Sequence, residues 1–325
     1  MKKIIQIGLL YFLFNLPFFA TTWDEPWQEK VIKESDTFAK IKVISTDEQK
    51  GVKAVLIKNL AGEKLTSEIV INNFYFMNLT TLDHEHLPEF YFKESKVYYV
   101  FLKQGDDGNY MLPTPTSGWA DMDSINVFAT YRHSYSKAIV PIDMYENSMT
   151  AIFNRVKNLK YDKIYIDNLI NTYLNIEPSS PVGSDMSSVA ARNFFLQHVA
   201  LECVYYFGDT TYIMYYDKLL KFINFDFYHT QVSAIRALSS INTKESRKSI
   251  FEFLKGKGDN FSKVIAVWSL EKMNATECKN ELAEYFKNAS TEEVYFDTDI
   301  MDPRVGTYFP KSVKNAVQIL LKKWK

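Results

Sequence analysis

Cysteine is nearly absent: Cys203 and Cys278 are the only two in 325 residues. Such a chain is no disulfide scaffold, so its stability has to come from buried apolar surface. An excess of charge of one sign is missing too. There are 38 Lys and Arg against 39 Asp and Glu, a net charge of −1, which excludes the strongly basic balance of a general nucleic-acid binder. Glycine is scarce at 11, and none falls in a phosphate loop or a dinucleotide fingerprint. There is no Gly-x-Ser-x-Gly elbow and no His-Glu-x-x-His helix. Triads assemble from distant residues, so these absences do not exclude an enzyme. They leave no catalytic residue and no cofactor to nominate.

Long hydrophobic runs are also few. After Lys2 and Lys3, residues 4–19 are apolar apart from Gln6, Gly8, Asn15 and Pro17. About sixteen residues fall short of the roughly twenty that cross a bilayer as a helix. A positive start before such a run has the form of a secretory signal peptide over 1–22, with Ala20-Thr21-Thr22 an approximate cleavage junction. An uncleaved N-terminal anchor is the other reading. The expected address is secreted or periplasmic, in the cell envelope. The remaining chain, roughly 300 residues, is long enough for two domains. Its 46% hydrophobic and 15% aromatic content supplies their cores.

Over residues 38–145 the pattern is of short strands. "FAKIKVIS" sets Phe38, Ile41 and Val43 among Lys40 and Lys42, close to the period of a half-buried strand. "VKAVLIKNL" and "SEIVINNFYF" follow, and "KVYYVFLKQ" is apolar on both faces over 97–102. Their Tyr, Phe, Val and Ile suit a pleated surface. After them "GDDGN" carries an Asp-Gly turn, a strong hairpin signal. Short strands with turns between them predict an antiparallel barrel or sandwich. "FKESKVYYVFLKQ" followed by "YMLPTPTSGW" resembles the central hairpin of netrin-like domains, the small OB-type barrels related to tissue inhibitors of metalloproteases. The resemblance spans about residues 31–145 and implies a barrel. It does not imply inhibition, because those inhibitors chelate zinc through an N-terminal cysteine and none precedes Cys203 here.

After Met144 the period lengthens. "NSMTAIFNRVKNL" and "YDKIYIDNLINTYL" read as helices, "NIEPSSPVGS" reads as a break, and from 187 onward almost everything reads as helix. The expected plan is α+β in two domains: a β-rich OB- or netrin-like domain over 23–145, a helical connector over 146–186, and a helical repeat domain over 187–325. The repeat is visible directly. Residues 232–256, "VSAIRALSSINTKESRKSIFEFLKG", slide by 32 onto 264–288, "VIAVWSLEKMNATECKNELAEYFKN", without a gap. Seven of the 25 positions are identical, among them Val232/Val264, Ala234/Ala266, Leu238/Leu270, Asn242/Asn274 and Glu245/Glu277.

Val232, Ile235, Leu238 and Ile241 line one stripe of a first helix. Asn242 is placed to cap a second, with Glu245 reaching back as in a capping box, and Asn274 with Glu277 repeats the device. Neither hairpin can bury its stripe alone, so the units have to stack. The period and the Ala-x-x-x-Leu helix resemble short HEAT-like repeats, which implies an α-solenoid. A degenerate earlier copy is placed at 199–220. Ala316, Val317 and Leu320 match Ala266, Val267 and Leu270 in a helix that would close the stack.

Two segments offer metal chemistry. In "LDHEHLPEF", His84 and His86 share one face of a strand, but Asp83 and Glu85 point the other way and zinc needs three or four ligands. In "FDTDIMDPRVG", Asp297, Asp299 and Asp302 offer oxygens to calcium, without the glycine and late glutamate of a calcium loop. Both read as polar loops, and no metal is assigned. Trp119 falls in an expected turn, from which an aromatic ring can stack on a sugar, though core packing is the ordinary fate of such rings. Cys203 and Cys278 lie two repeats apart, about 20 Å at ordinary helix spacing, so two free thiols are expected. Charge falls in blocks: eight basic against four acidic residues over 232–274, two against eight over 275–302, six against none over 303–325. Such blocks either steer a charged protein partner or make an ordinary solvated surface.

The expected function is that of an exported, non-enzymatic binding or assembly protein of the cell envelope. Its helical-repeat surface would engage another protein, with no nucleic acid and no membrane span after signal removal. The alternatives are a secreted metal-dependent hydrolase and a carbohydrate-binding envelope module.

Overall fold

A computed structural model describes residues 28–47, 49–72, 92–113, 118–129, 138–181, 187–294 and 310–325. Eight strands form one sheet: β1 (Thr37–Asp47), β2 (Gly51–Gly62), β3 (Glu68–Asn72), β4 (Val97–Gln104), β5 (Tyr110–Met111), β6 (Trp119–Met122), β7 (Asn126–Ala129) and β8 (Ala138–Pro141). Five are ordered β1-β2-β3-β5-β4, and pairing of β1 with β4 closes them into a barrel. The rest extend the sheet through β4–β6, β6–β7 and β7–β8. Three register shifts in β1–β2 pairing, the first between Phe38 and Ala39, supply the extra twist that closure requires.

A wholly antiparallel sheet was expected, and one seam departs from it. β3 and β5 run parallel, Ile71 opposite Tyr110. The reason is parity: strand direction cannot alternate all the way around a ring of five.

The barrel interior holds Ala39, Ile41, Val43, Val52, Ile71, Val100 and Leu102. Phe38, Tyr99 and Phe101 point from β1 and β4 to the opposite side and belong to a second core. That side is covered by helix, which is why β4 is apolar on both faces. The covering element is α2 (Ile142–Val156), preceded in the chain by α1 (Gln28–Glu34). Tyr145, Met149, Ile152 and Phe153 make the buried stripe of α2, at the 3–4 residue spacing of an amphipathic helix. Phe153 stacks on Phe101 with ring centroids 6.4 Å apart. At the end of β2, Gly62 (φ +78°) passes so close to α2 that a Cβ there would lie 3.0 Å from Phe153 and 2.1 Å from the Asp36 carbonyl oxygen. One polar cluster accompanies this docking. Glu146 of α2 accepts from the Tyr99 hydroxyl (2.7 Å) and pairs with Lys58 at 2.5 Å and Lys40 at 3.6 Å.

The helical region continues with α3 (Lys163–Leu174), α4 (Val189–Phe207), α5 (Tyr216–Ile223), α6 (Tyr228–Ile241), α7 (Lys244–Lys255), α8 (Asn260–Lys272), α9 (Lys279–Asn288) and α10 (Val313–Lys323). Helices α4, α6, α8 and α10 pack side by side in that order, while α3, α5, α7 and α9 pack beside them. The core cluster runs unbroken from Phe38 and Phe101 through Phe153 to Val199, Leu238, Leu270 and Leu320. Val232, Ala234 and Leu238 of α6 are 0% exposed, and so are Val264, Ala266 and Leu270 of α8.

The assignment of Asn242 is corrected. It ends α6 in the left-handed region at φ 50°, and the cap of α7 is Thr243, whose hydroxyl forms a capping box with Ser246. Asn274 ends its own helix at the same φ of 50°, and the Ala275 N–H after it reaches back to the Leu270 carbonyl at 3.0 Å. A short polar side chain tolerates this backbone where most residues do not. Glu245 is exposed in the first turn, its carboxyl held below the usual range by its own backbone N–H and the Thr243 hydroxyl.

Because one core spans barrel and helices, Phe153→Ala is expected to cost about 3–5 kcal/mol and to loosen both regions. Near-ultraviolet and far-ultraviolet circular dichroism should shift to lower urea together. Separate transitions would show that the two regions unfold independently.

Candidate functional site

Helices α4, α6 and α8 carry charge where their neighbours carry methyl groups. Glu202 of α4 and Arg236 of α6 have side chains only 1% and 6% exposed, and they form an ion pair through Glu202 Oε1 and Arg236 Nη1. The guanidinium carbon of Arg236 lies 4.1 Å from the centre of the Tyr205 ring, and the Lys272 ammonium lies 3.5 Å from the same ring. Both are cation–π contacts. Tyr205 Oη donates to Glu29 on α1 at 3.2 Å, and Glu29 pairs with Lys33 at 2.6 Å. Above these groups a cleft of about 80 Å³ opens, completed by Ser239, Ile265, Trp268 and Ser269. Trp268 stands 32 residues after Arg236, so the adjacent helices α6 and α8 bring a guanidinium and an indole to the same cleft.

Charge crowding sets the proton affinities. Burial lowers the affinity of Lys272 first and Arg236 second, and together they outweigh the pull of Glu29 and Glu202, pushing Lys272 down to about 8. Burial alone would raise Glu29, but the hydrogen bond and charge of Lys33 hold it below the usual carboxylate value. Burial pushes Tyr205 up to about 12. Tyr206 is driven well above its ordinary value by burial and by Glu202, and its hydroxyl has no partner among the described residues. Here the side chains can attract and orient an anion.

His84, His86, Asp297, Asp299 and Asp302 lie outside the described residues. Among the described residues no three His, Cys, Asp or Glu side chains are grouped to hold a metal ion. Trp119 is a correction: it sits in strand β6, 8% exposed, between Phe92 (5.4 Å) and Tyr98 (5.6 Å). That ring packs in the barrel core, the ordinary fate of such side chains. Cys203 and Cys278 are free and buried. Charge blocks do meet among the described residues. Arg247 of α7 pairs with Glu277 at 2.9 Å and donates to the Asn242 side chain at 2.8 Å, tying one hairpin to the next. A second, open groove of about 640 Å³ lies between α5, α6 and α7, with Leu220, Gln231, Glu252 and Phe253 in its walls.

No family model, no curated protein and no solved structure matches the chain. No helix among the described residues is long and apolar enough to cross a membrane.

Sequence reasoning passed over the cleft. Arg236 within "AIRAL" and Glu202 within "ALECV" are single charges flanked by apolar residues on both sides. A residue so placed cannot turn to the solvated stripe without burying its neighbours' opposite numbers, and that was the available signal.

Two outcomes follow for the ion pair and its neighbour. Glu202→Leu leaves a guanidinium buried without its carboxylate and is expected to cost about 3–5 kcal/mol, whereas the double change with Arg236→Met should recover most of that loss. Urea unfolding of the single and double variants measures it. Lys272 returns to its ordinary 10.5 on unfolding, so from about pH 8 toward pH 10 the unfolded chain binds more protons and stability rises with pH. Lys272→Met should flatten that rise in urea midpoints taken at constant ionic strength.

Proposed function

We propose that this chain is an exported, non-enzymatic binding protein of the cell envelope that holds another protein on a short HEAT-like helical repeat. The α-solenoid would be carried by an OB- or netrin-type barrel. One observation carries the reading: a shift of 32 residues lays buried positions of α6 and α7 on buried positions of α8 and α9, with Ile250 and Leu282 both 0% exposed. Units that repeat in this way stack, and stacked units present an extended surface wider than a pocket. The barrel part rests on the strand order β1-β2-β3-β5-β4 with its parallel β3–β5 seam, which agrees with a five-stranded OB-type barrel. Export rests on the apolar run over residues 4–19 behind two lysines.

Charge indicates how a partner would be recognised. Lys244, Lys248 and Lys255 are exposed along α7, and Glu281 and Glu284 are exposed along α9. Opposite patches on neighbouring hairpins fix the orientation of a partner with the complementary pattern and speed its approach. The groove between α5, α6 and α7 lies beside the basic patch. There Gly258 rests against the Phe253 ring so closely that a Cβ would come within 2.3 Å of it.

Crosslinking and affinity capture from the native envelope tests the reading, with wild type compared against a Lys244→Glu, Lys248→Glu, Lys255→Glu variant. Wild type should recover a specific protein at low salt, and the variant at least tenfold less of it. Equal recovery by both would remove this face from the interface. One equivalent of bound metal in the purified protein would favour the hydrolase instead, and a glycan-array signal would favour the carbohydrate module.

A further inference from the structure

We propose that the cleft between α4, α6 and α8 is a binding site for one small organic monocarboxylate, gripped by the Lys272 ammonium and the Ser269 hydroxyl. Lys272 has three N–H donors, its ammonium lies 3.5 Å from the centre of the Tyr205 ring, and no carboxylate stands within ion-pair distance of it among the described residues. Ser269 is buried at 4% exposure, lines the same cleft, and its hydroxyl donates to no described residue. These are two donors facing one space.

Charge and size choose the ligand. Arg236, Lys272 and Lys33 supply three positive charges, and Glu202 and Glu29 two negative ones, leaving one positive charge over. A monoanion cancels it. A phosphate dianion would overshoot and would sit near two carboxylates, a repulsion felt strongly in a poorly solvated site. The cleft, about 80 Å³ and open to solvent, takes a carboxylate head and lets the tail leave along its wall. Trp268 and Ile265 form the apolar wall against which a short hydrocarbon tail would lie. Serine at 269 and lysine at 272 are one turn apart on α8, so both approach from one side.

Nuclear magnetic resonance on the full chain tests this, using 13C-labelled lysine with the Lys272 Cε signal assigned through Lys272→Gln. Acetate and phenylacetate are the probes, with phosphate and chloride at matched ionic strength. Saturating carboxylate should raise the Lys272 titration midpoint by at least one pH unit, because the ligand binds the ammonium form. Phenylacetate should bind more tightly than acetate, and Ser269→Ala should weaken both about tenfold with an unchanged far-ultraviolet spectrum. A midpoint that carboxylate does not move overturns the proposal. So does an equal shift from chloride, which would be screening, or a larger one from phosphate. None of these readings involves a protein partner, so they stand apart from the test of the repeat surface.

Discussion

The docking of α2 against the outer side of β1 and β4 is the contact on which the rest of the molecule depends. A five-stranded barrel has an inside to fill, and Ile41, Val43, Ile71 and Leu102 fill it. Phe38, Tyr99 and Phe101 point the other way, and without α2 they would be an exposed aromatic patch of the kind soluble surfaces avoid. Each large side chain that α2 buries there is worth about 1.5–3 kcal/mol. The same helix also packs on α4, from which the succession α6, α8, α10 begins. The barrel therefore sets where the first helix of the stack lies. Glu146 refines the fit. Burial would raise its carboxyl, but Lys58 and Tyr99 hold it below the usual range, so the charge stays and aligns α2 over the strands.

Within the helical region, identity and divergence between the copies serve different ends. Positions that face the neighbouring helix stay alike: Val232 and Val264, Ala234 and Ala266, Leu238 and Leu270. Small and medium side chains at these points set the spacing of the helices, and a change in either copy would open a gap or force the pair apart. Arg236 and Trp268 occupy equivalent positions yet differ completely. Their side chains reach the cleft, where spacing is not at stake. A buried ion pair adds little net stability over a well-packed apolar pair, so Glu202 and Arg236 are poorly explained as glue. They are fixed charges beneath the cleft, where burial first and Arg236 second depress the proton affinity of Lys272.

Some of this was legible from residues alone and some was not. Strands β1 to β4 were legible because alternation and β-branched or aromatic composition are local. The double-sided run of β4 was visible as well, but its cause was not, because α2 lies some forty residues further along the sequence. A barrel could not be told from a sandwich, since closure depends on β1 meeting β4 far along the chain, Thr37 opposite Leu102, and on the parity of five strands. The helices over 228–288 were legible because apolar residues three to four apart are a local signal. Asn242 was misassigned because two neighbours, Asn242 and Thr243, are both good caps, and only backbone geometry shows which helix each serves. Trp119 was misplaced for a related reason: a turn-rich context says nothing about which way a ring points. The Glu202–Arg236 pair lies 34 residues apart, and no local pattern joins two charges over that span.

The scarcity of glycine bears on the same question. Helices that end in a reversal need a residue with positive φ, and glycine usually supplies it. Here α2, α6 and α8 each run into an asparagine, Asn158 at φ 57° and Asn242 and Asn274 at φ 50°. Asparagine gives up some of glycine's freedom but adds a side chain, and at Asn242 that side chain accepts from Arg247, which pairs with Glu277 of the next copy. A glycine there would turn the chain equally well and leave the guanidinium without its second anchor. The turn and the tie between hairpins are thus one device. Its presence at the junction of the two clearest copies ties their spacing to the turn as well as to the apolar stripe. The cleft lies across these same helices, from Arg236 on α6 to Trp268 and Lys272 on α8. The spacing of α6 and α8, which sets the width of that cleft, is tied at the turn by Asn242, Arg247 and Glu277.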